Sequence, residues 1–337
     1  MLNNELEADF AFACDDIAAL AGTHVLVSGG TGFVGSWLLE LIAWGNRRCD
    51  ARISLEVISR NPAEFARRCP HLATADFVKL VKADVRTVTP DGTYDAVIHA
   101  ATEASATELA TAPARMLDTI VRGGEAMLAA ASRCGSIPFL FTSSGAVYGR
   151  QPLDLKAIPE TYAGGPDPLD PASAYAEGKR FAELQCALAA ANGVRPKIAR
   201  LFAFVGPYLP LDRHFAIGNF IADALAGRPI RIAGDGSPIR SYLYGSEMAV
   251  WLLAILVRGQ ALRAYNVGSD EAFELSQVAS IVAKTAGSIE VAIATGAHFP
   301  GAGARYVPAI DRGRTELSLA RRIGLEDAIR RTIDFHR

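Results

Sequence analysis

"HVLVSGGTGFVGSWLLELI" runs from His24 to Ile42 and decides the fold, because an apolar, β-branched run turns there into a helix-like run. Gly29, Gly32 and Gly35 are spaced three residues apart across the turn. Such glycines give a tight bend, let the backbone approach a phosphate closely and allow the helix to pack on the strand. The first turn of the helix offers free N–H groups to a pyrophosphate. The stretch predicts a dinucleotide-binding site, with a merely structural turn as the alternative.

Short β-branched runs alternate with longer helical patterns around this turn. The predicted strands are His24–Ser28, Leu55–Ser59, Phe77–Lys82, Ala96–Ala100, Phe139–Thr142 and Lys197–Leu201. The predicted helices between them include Val34–Trp44, Ala114–Arg133 and Ser173–Asn192, and the first two end at Gly45 and Gly135. The alternation predicts right-handed βαβ units, and therefore an α/β fold with a doubly wound parallel sheet.

The pattern changes after about Gly206, where proline and glycine become denser. The elements predicted beyond it are Ile217–Ala226, Ser246–Arg258, Leu275–Ala286 and Glu290–Ala294. We expect a main domain at 23–205 and a smaller C-terminal α/β lobe at 206–337, partly interleaved with it. Residues 1–22 are predicted to form an added helical extension without an assigned role.

Composition limits the class of protein. The chain has 337 residues and a formal net charge of -2, with 50% hydrophobic and 21% charged residues, which is typical of a soluble globular protein. The charge argues against nucleic acid or a membrane as partner. The five cysteines are scattered, so we expect reduced thiols, a cytoplasmic location and no metal site. The acidic N-terminus is unlike a secretory signal, and the apolar run Met248–Val257 predicts a buried helix rather than a membrane span.

The end of the second predicted strand bears on the choice of dinucleotide. An acidic residue there would bind the adenosine ribose and favour NAD, but the chain has Ser59 and Arg60 in "LEVISRNP". A hydroxyl and a guanidinium suit a 2′-phosphate, which slightly favours NADP; NAD with Arg60 as an ordinary surface residue is the alternative. Asp84, after the third strand, could reach the adenine or cap the strand end.

"SAYAEGKR" places Tyr175 and Lys179 four residues apart, on one face of a predicted helix. An ammonium about 5 Å from the phenol, at an effective dielectric of about 20, is worth roughly 3 kcal/mol. That would lower the tyrosine pKa by about two units. Ser144, in "FTSSGAVYG", follows a strand at the sheet edge where ligands bind. The three predict proton exchange with a sugar hydroxyl while hydride passes to or from nicotinamide; a surface helix pair is the alternative.

The motifs "GGTGFVG", "TSSGAVYG", "YAEGK", "GDGSPIRSYLY" and "YNVGS" together resemble the extended short-chain dehydrogenase/reductases, specifically the NAD(P)-dependent epimerase/dehydratase group acting on nucleotide sugars. The resemblance implies a Rossmann domain, a C-terminal nucleotide-sugar lobe, NAD or NADP as cofactor, and a homodimer built through a four-helix contact. It also implies that Lys179 holds the nicotinamide ribose hydroxyls. Surface polysaccharide biosynthesis is the usual setting of the family.

The resemblance assigns roles residue by residue. The catalytic residues it implies are Ser144, Tyr175 and Lys179. The cofactor residues it implies are Gly29, Gly32, Phe33, Val34, Gly35, Ser59, Arg60, Asp84, Val85, Ala100, Ala101, Tyr175 and Lys179. The substrate residues it implies are Ser143, Asn219, Arg240 and Arg305, with Arg240 as a bidentate partner of the diphosphate. For the last three, an ordinary loop or helix position is the alternative.

Two departures from the family pattern narrow the reaction. Gly145 and Ala146 follow Ser144, where the family's 4,6-dehydratases have an Asp-Glu pair and its UDP-glucuronate decarboxylases a glutamate at the second position. Neither residue transfers a proton, so those reactions would need a carboxylate from elsewhere, with Glu103 as the nearest candidate. Ile120 stands where the family often has asparagine, and we expect altered packing near the cofactor.

Two reactions need only the serine, the tyrosine and the nicotinamide: 4-epimerisation through transient oxidation at C4, and net reduction of a 4-keto-sugar. The epimerase is favoured over the reductase. A dehydratase with an unconventional acid, and a cofactor-binding protein without turnover, are the remaining alternatives.

Overall fold

The structure is a computed structural model that describes residues 4–102, 106–211, 215–294 and 303–337. The strands are β1 (His24–Ser28), β2 (Ser54–Ser59), β3 (Val78–Lys82), β4 (Ala96–His99), β5 (Pro138–Ser144), β6 (Arg195–Leu201), β7 (Phe204–Val205), β8 (Ile230–Ile232), β9 (Ile239–Arg240), β10 (Leu243–Tyr244), β11 (Ala264–Val267), β12 (Phe273–Glu274), β13 (Val291–Ile293) and β14 (Arg305–Tyr306).

The helices surround these strands. They are α1 (Asn4–Phe10), α2 (Cys14–Ala19), α3 (Phe33–Cys49), α4 (Pro62–Arg68), α5 (Pro70–Ala73), α6 (Ala106–Thr111), α7 (Pro113–Arg133), α8 (Ala174–Ala190), α9 (Ala216–Leu225), α10 (Gly245–Arg258), α11 (Leu275–Ala286), α12 (Asp311–Leu317) and α13 (Leu325–His336). Short 3-10 turns lie at Ala11–Ala13, Gly145–Tyr148 and Pro171–Ser173.

A seven-stranded sheet in the order β11-β6-β5-β4-β1-β2-β3 forms the centre of the molecule, and every neighbouring pair in it is parallel. The chain proceeds outward from β1 to β3, and then crosses back to β4 on the other side of β1. Open α/β sheets bind ligands at the carboxyl ends of the strands where the order reverses in this way. The predicted Rossmann-type parallel sheet is confirmed, and its switch point lies between β1 and β4.

The predicted strands match the observed ones closely, and β1 agrees at both ends. The prediction that Gly45 ends a helix is wrong, because α3 continues to Cys49 and Gly45 is buried within it. A Cβ on Gly45 would lie 2.7 Å from the Ile17 side chain, so glycine serves close helix packing there. Gly135, by contrast, follows α7 with φ at +86° and is a true helix stop.

The N-terminal segment is part of the core. Phe10 and Ile17, from α1 and α2, are 1% and 0% exposed. The Asp16 carboxylate lies 2.7 Å from the Arg258 guanidinium at the end of α10, and Asp9 lies 3.0 Å from Arg331 on α13. Ion pairs therefore join the extension to α10 and α13, contacts that the sequence did not indicate.

The second half of the chain builds small sheets and returns to the large one. The small sheets are β7 with β10, β8 with β13, and β9 between β12 and β14. Helix α10 contains the apolar run Met248–Val257, and its side chains from Met248 to Leu256 are almost all buried, as predicted. Strand β11 lies in the main sheet although it follows residue 206. The domain boundaries given above stay predictions.

Candidate active site

The glycine turn lies in close contact with the end of β4. Gly29 has φ at +73°, and a Cβ there would lie 2.5 Å from the Ala100 carbonyl and the Ala101 nitrogen. A Cβ on Gly35 would lie 2.3 Å from the Gly30 Cα. At Gly32 it would meet only the Gly29 carbonyl, at 3.4 Å. Only glycine lets α3 begin at the switch point, so the turn fits the pyrophosphate of a dinucleotide.

The residues that open α3 pack against β7, which comes later in the chain. Phe33 and Val34 are half-buried, and the Phe33 ring stacks on Phe204 with 6.2 Å between centroids. The start of the helix is thereby fixed against β7.

Among the described residues no cluster of His, Cys, Asp or Glu could hold a metal ion, and no helix is long and apolar enough to cross a bilayer.

Polar groups gather where β2 ends. The Ser59 hydroxyl is buried and lies 3.0 Å from the Thr31 hydroxyl in the glycine turn. Arg60 is exposed, and its charge contributes to lowering the Asp84 pKa, which places it near that carboxylate. The Arg68 guanidinium donates to the Thr31 carbonyl. Arg68 is thus a second cation beside the turn, and no sequence motif pointed to it.

Asp84 is engaged by its own turn. Its carboxylate accepts from the Arg86 guanidinium at 2.7 Å and from the Arg86 backbone N–H at 2.9 Å. This hydrogen bonding holds the Asp84 pKa at about 2. Val85 beside it is buried. The geometry accords with the strand-end cap that was one of two interpretations of Asp84; its adenine contact stays a prediction.

Tyr175 and Lys179 lie on α8, one turn apart, below the end of β5. Lys179 is 2% exposed, and its ammonium donates to the Thr102 hydroxyl and to the Thr142 carbonyl, each at 2.7 Å. The Lys179 Nζ lies 5.9 Å from the centroid of the Tyr175 ring. Ser144 is the last residue of β5 and lies close enough to Tyr175 to lower its pKa. The structure therefore brings the three predicted catalytic residues together.

The electrostatics differ from the expectation. Burial raises the Tyr175 pKa, and the Ser144 contact only opposes this. Burial also lowers the Lys179 pKa to about 7, against the opposing charges of Glu183 and Cys186. The predicted two-unit lowering of the Tyr175 pKa by Lys179 is therefore wrong for the protein by itself. Desolvation raises the phenol pKa more than the Lys179 charge lowers it. The Lys179 ammonium instead donates hydrogen bonds to Thr102 and the Thr142 carbonyl.

A second phenol, which no motif indicated, joins this cluster. Tyr306 on β14 lies close enough to Ser144 and Tyr175 for both to affect its pKa. Its ring packs on Phe202, with centroids 4.6 Å apart. Burial raises the Tyr306 pKa, and its contact with Ser144 opposes the rise. Ser144 thus lies between two tyrosines, from α8 and β14.

Tyr306 also accounts for the glycine after Ser144. A Cβ on Gly145 would lie 2.5 Å from the Tyr306 hydroxyl and 2.8 Å from the Phe202 ring. Any carboxylate side chain at this position would displace the phenol. Ala146 donates its backbone N–H to the Ser144 hydroxyl at 3.1 Å and carries no proton-transferring group. Glu103, the candidate replacement acid, lies outside the described residues.

Ile120 packs helix against helix. It is fully buried on α7, and a Cβ on Gly178 of α8 would lie 3.1 Å from its side chain. Gly178 precedes Lys179, so this apolar contact sets how closely α7 approaches the catalytic helix. The altered packing expected near the cofactor stays a prediction.

The predicted substrate residues have different surroundings. Ser143 donates to Glu183 at 2.6 Å, and Glu183 is paired with Arg200 at 2.7 Å. Arg240 is in register with Tyr306 across β9 and β14, and donates to the Ile239 and Ala304 carbonyls. Arg240 therefore adjoins the reaction cluster.

The other two predicted substrate residues are Arg305 and Asn219. Arg305 precedes Tyr306 on β14, so its side chain points to the opposite face of the strand, where Nε donates to the Lys156 carbonyl at 2.7 Å. Asn219 is exposed on α9. Substrate binding by Ser143, Asn219, Arg240 and Arg305 stays a prediction.

Solved structures with the same fold include nucleotide-sugar enzymes. UDP-glucose 4-epimerase from Thermotoga maritima, solved with UDP-glucose, superimposes with a TM-score of 0.79 at 20% identity, covering 93% of this chain and 98% of that one. The dTDP-glucose 4,6-dehydratase DesIV from Streptomyces venezuelae, solved with NAD bound, gives 0.78 at 21% identity, covering 93% and 96%. At these identities the similarity shows the fold.

Proteins similar to this chain in sequence include UDP-glucuronic acid decarboxylases. UDP-glucuronic acid decarboxylase 2 of Arabidopsis thaliana is 32% identical over 265 residues, which are 78% of this chain and 57% of the relative. UDP-glucuronic acid decarboxylase 1 of Xenopus tropicalis is 29% identical over 79% of this chain and 61% of the relative. The match therefore spans little more than half the length of these relatives. A family profile described as NAD dependent epimerase/dehydratase matches residues 25–268, and with the glycine turn and the Ser144, Tyr175 and Lys179 cluster in place, the chain belongs to the NAD-dependent epimerase/dehydratase family.

Proposed function

We propose that the chain is a nucleotide-sugar 4-epimerase that oxidises the sugar transiently at C4 and reduces it again on the other face. The observation that carries the proposal is the Gly145 contact: the space beside Ser144 is filled by the Tyr306 phenol, 2.5 Å from where a Cβ would begin. Positions 145 and 146 hold no acid for dehydration. Epimerisation needs no such acid.

The chain's own residues would divide the work. The glycine turn and the start of α3 would hold the pyrophosphate, and Lys179 would bind the nicotinamide ribose. Bound NAD(P) would accept the C4 hydride and return it. Tyr175 would take the proton of the C4 hydroxyl and give it back, while Ser144 hydrogen-bonds the same oxygen. Because burial lowers the Lys179 pKa to about 7, its charge would depend on pH near neutrality.

NADP is supported over NAD by the cations near the end of β2. Arg60 lies at that end, and Arg68 donates to the adjoining Thr31 carbonyl. Both are guanidinium groups, which suit a 2′-phosphate.

Arg240, in register with Tyr306, is the proposed partner of the substrate diphosphate.

The test is incubation of the purified protein with UDP-glucose, UDP-galactose and UDP-glucuronate, each with and without added NAD(P)H, followed by NMR of the products. We expect inversion at C4 without net consumption of cofactor. Stoichiometric oxidation of NAD(P)H by a 4-keto-sugar would overturn the proposal in favour of a reductase. A 4-keto-6-deoxy product would overturn it in favour of a dehydratase.

Decarboxylation of UDP-glucuronate is the second candidate, because the curated relatives carry that name at up to 33% identity. The same oxidation at C4 of a glucuronate gives a β-keto acid. Loss of CO2, protonation of the enolate and return of the hydride to C4 would complete a balanced reaction. Release of CO2 with a UDP-pentose product identifies this outcome in the incubation above.

We also propose a homodimer through α7 and α8. Their outer faces carry Leu117, Phe181, Leu184 and Leu188, which are 37%, 47%, 53% and 63% exposed. Phe181, Leu184 and Leu188 recur at helical spacing on α8 and form one apolar stripe. Contiguous apolar stripes of this kind mark protein interfaces, and two helices from each copy would form a four-helix contact.

A further inference from the structure

Tyr306 reaches the reaction centre from the opposite lobe to Tyr175. Strand β14 holds it by pairing with β9, and the chain is fixed on its far side as well: the Val307 N–H donates to the Gln151 side chain at 2.9 Å, and the Ile158 N–H donates to the Val307 carbonyl at 2.9 Å. The Tyr306 ring rests on Phe202. The pairing with β9 and the hydrogen bonds of Val307 therefore hold the Tyr306 side chain in place near Ser144.

Ser144 has one proton and two tyrosine neighbours. A serine hydroxyl donates one hydrogen bond and accepts others. If its proton pointed at Tyr306, it would not be available to the reacting oxygen or to Tyr175. The Ala146 N–H already donates to Ser144 at 3.1 Å. If the Tyr306 hydroxyl also donates to Ser144, the Ser144 proton can point only toward the sugar oxygen and Tyr175.

Resting on the proposed sugar chemistry, we infer that Tyr306 is a positioning residue, whose hydroxyl donates to Ser144 and thereby directs the Ser144 proton to the reacting oxygen. Tyr306 keeps its own proton throughout. During oxidation the carbinol proton would pass to Tyr175 and the hydride to a bound nicotinamide, and during reduction both would return. A hydrogen bond donated to Ser144 strengthens the hydrogen bond that Ser144 itself donates. Tyr306 therefore stabilises negative charge on the reacting sugar oxygen through Ser144.

The experiment compares Tyr306→Phe with Tyr162→Phe. Phenylalanine keeps the ring that packs on Phe202 and removes only the hydroxyl. Tyr162 is a matched control because its ring lies in the same aromatic cluster, 6.2 Å from Tyr148, away from Ser144. For Tyr306→Phe we expect a fall of roughly tenfold or more in kcat with KM nearly unchanged, since one charge-assisted hydrogen bond is weakened. In a Ser144→Ala background, Tyr306→Phe should have no further effect.

A second readout needs no substrate. The Tyr175 phenol is titrated by NMR of protein labelled at the tyrosine ζ-carbon, with Tyr175→Phe to assign the signal. Tyr306→Phe should raise the Tyr175 pKa, and Tyr162→Phe should not. An unchanged titration together with unchanged kcat, or an equal loss of kcat with and without Ser144, would overturn the inference. Should Tyr306→Phe melt too low for study, 3-fluorotyrosine at this position keeps the hydroxyl and its volume, and must still shift the Tyr175 titration. Absence of turnover with all three sugars would count against the proposed function, while the titration would still decide the role of Tyr306.

Discussion

At the scale of the residue, burial and neighbouring groups have opposing effects on the Tyr175 pKa. A lysine one turn away on a helix suggests a lowered phenol pKa, but desolvation of a buried phenol acts in the opposite direction. Lys179 has its own partners at 2.7 Å in Thr102 and the Thr142 carbonyl. The Tyr175 pKa would fall only if a further positive charge came to lie beside the phenol.

Replacement of Tyr175 by phenylalanine separates catalysis from binding. We expect C4 inversion to fall by about 100-fold or more, because the proton acceptor is lost. The dissociation constant for NAD(P) should change little, since the ring remains. The measurements are initial rates by NMR and cofactor binding by fluorescence. Full C4 inversion by the variant would contradict the role of Tyr175 as the proton acceptor.

Gly29→Ala tests the turn, with Gly22→Ala as a matched control. The two glycines have φ of +73° and +74°, but a Cβ on Gly22 has nothing within 4 Å, whereas on Gly29 it lies 2.5 Å from Ala100. Both should lose on the order of 1 kcal/mol for the left-handed backbone. Gly29→Ala should lose more, and should also lose affinity for NAD(P). Equal melting temperatures of the two variants would contradict the close approach.

What sequence could predict at this scale follows from local pattern. Ser144, Tyr175 and Lys179 stand in short motifs on one strand and one helix, and the structure brings them together. Tyr306 lies far along the chain in "ARYVP", and its place depends on the pairing of β14 with β9. No local pattern encodes that pairing, so the residue could be found only from the fold.

At the scale of the element, the long runs were predictable and the short ones were not. Strands such as β1 and β2 are continuous β-branched runs, which carry their own signal. Strands of two residues, such as β9 and β14, exist because distant segments meet. Gly45 shows the same limit within a helix, since its close contact with Ile17 depends on a segment nearly thirty residues earlier.

The apolar stripe on α8 gives a prediction for assembly. Leu184→Arg should convert the protein from dimer to monomer in sedimentation velocity, because a charge cannot be buried there without a partner. Leu169→Arg is the control, since Leu169 is 89% exposed and lies in a loop rather than on the stripe. A monomeric wild type, or a Leu184→Arg variant that sediments as a dimer, would contradict the proposed interface.

At the scale of the whole molecule, charged groups join the chain termini to the core. Asp9 and Asp16 in the N-terminal helices pair with Arg331 and Arg258, and Glu247 on α10 accepts the backbone N–H groups of Arg322 and Ile323. The Glu247 pKa is raised to about 7, chiefly by burial and also by the charge of Asp9, against those two N–H groups and Arg321. One end of the molecule thus holds a carboxyl that ionises near neutrality.

This raised pKa sets the sign of a stability prediction. The protonated Glu247 is favoured in the folded state, so its stabilisation is complete below pH 4.5 and is lost as the pH rises through about 7. Glu247→Gln can accept the same N–H groups without ionising. We expect its melting temperature to match the wild type in acid and to exceed it by a few degrees above neutrality.

Differential scanning calorimetry across this pH range makes the comparison. Glu326→Gln is the control, because Glu326 is 66% exposed and its loss should leave the pH profile unchanged. A wild type and a Glu247→Gln variant with parallel profiles would show that the carboxyl at 247 ionises normally.

The contact between Gly145 and Tyr306 has an evolutionary consequence. The two positions compete for one volume, so natural selection can admit an acidic side chain at the first only together with loss of the ring at the second. Homologous lineages should accordingly show linked replacement at these sites, and a lineage that changes one alone would pass through an inactive or unstable intermediate. Divergence between eliminating and non-eliminating enzymes on this scaffold would then require a pair of mutations in codons 145 and 306.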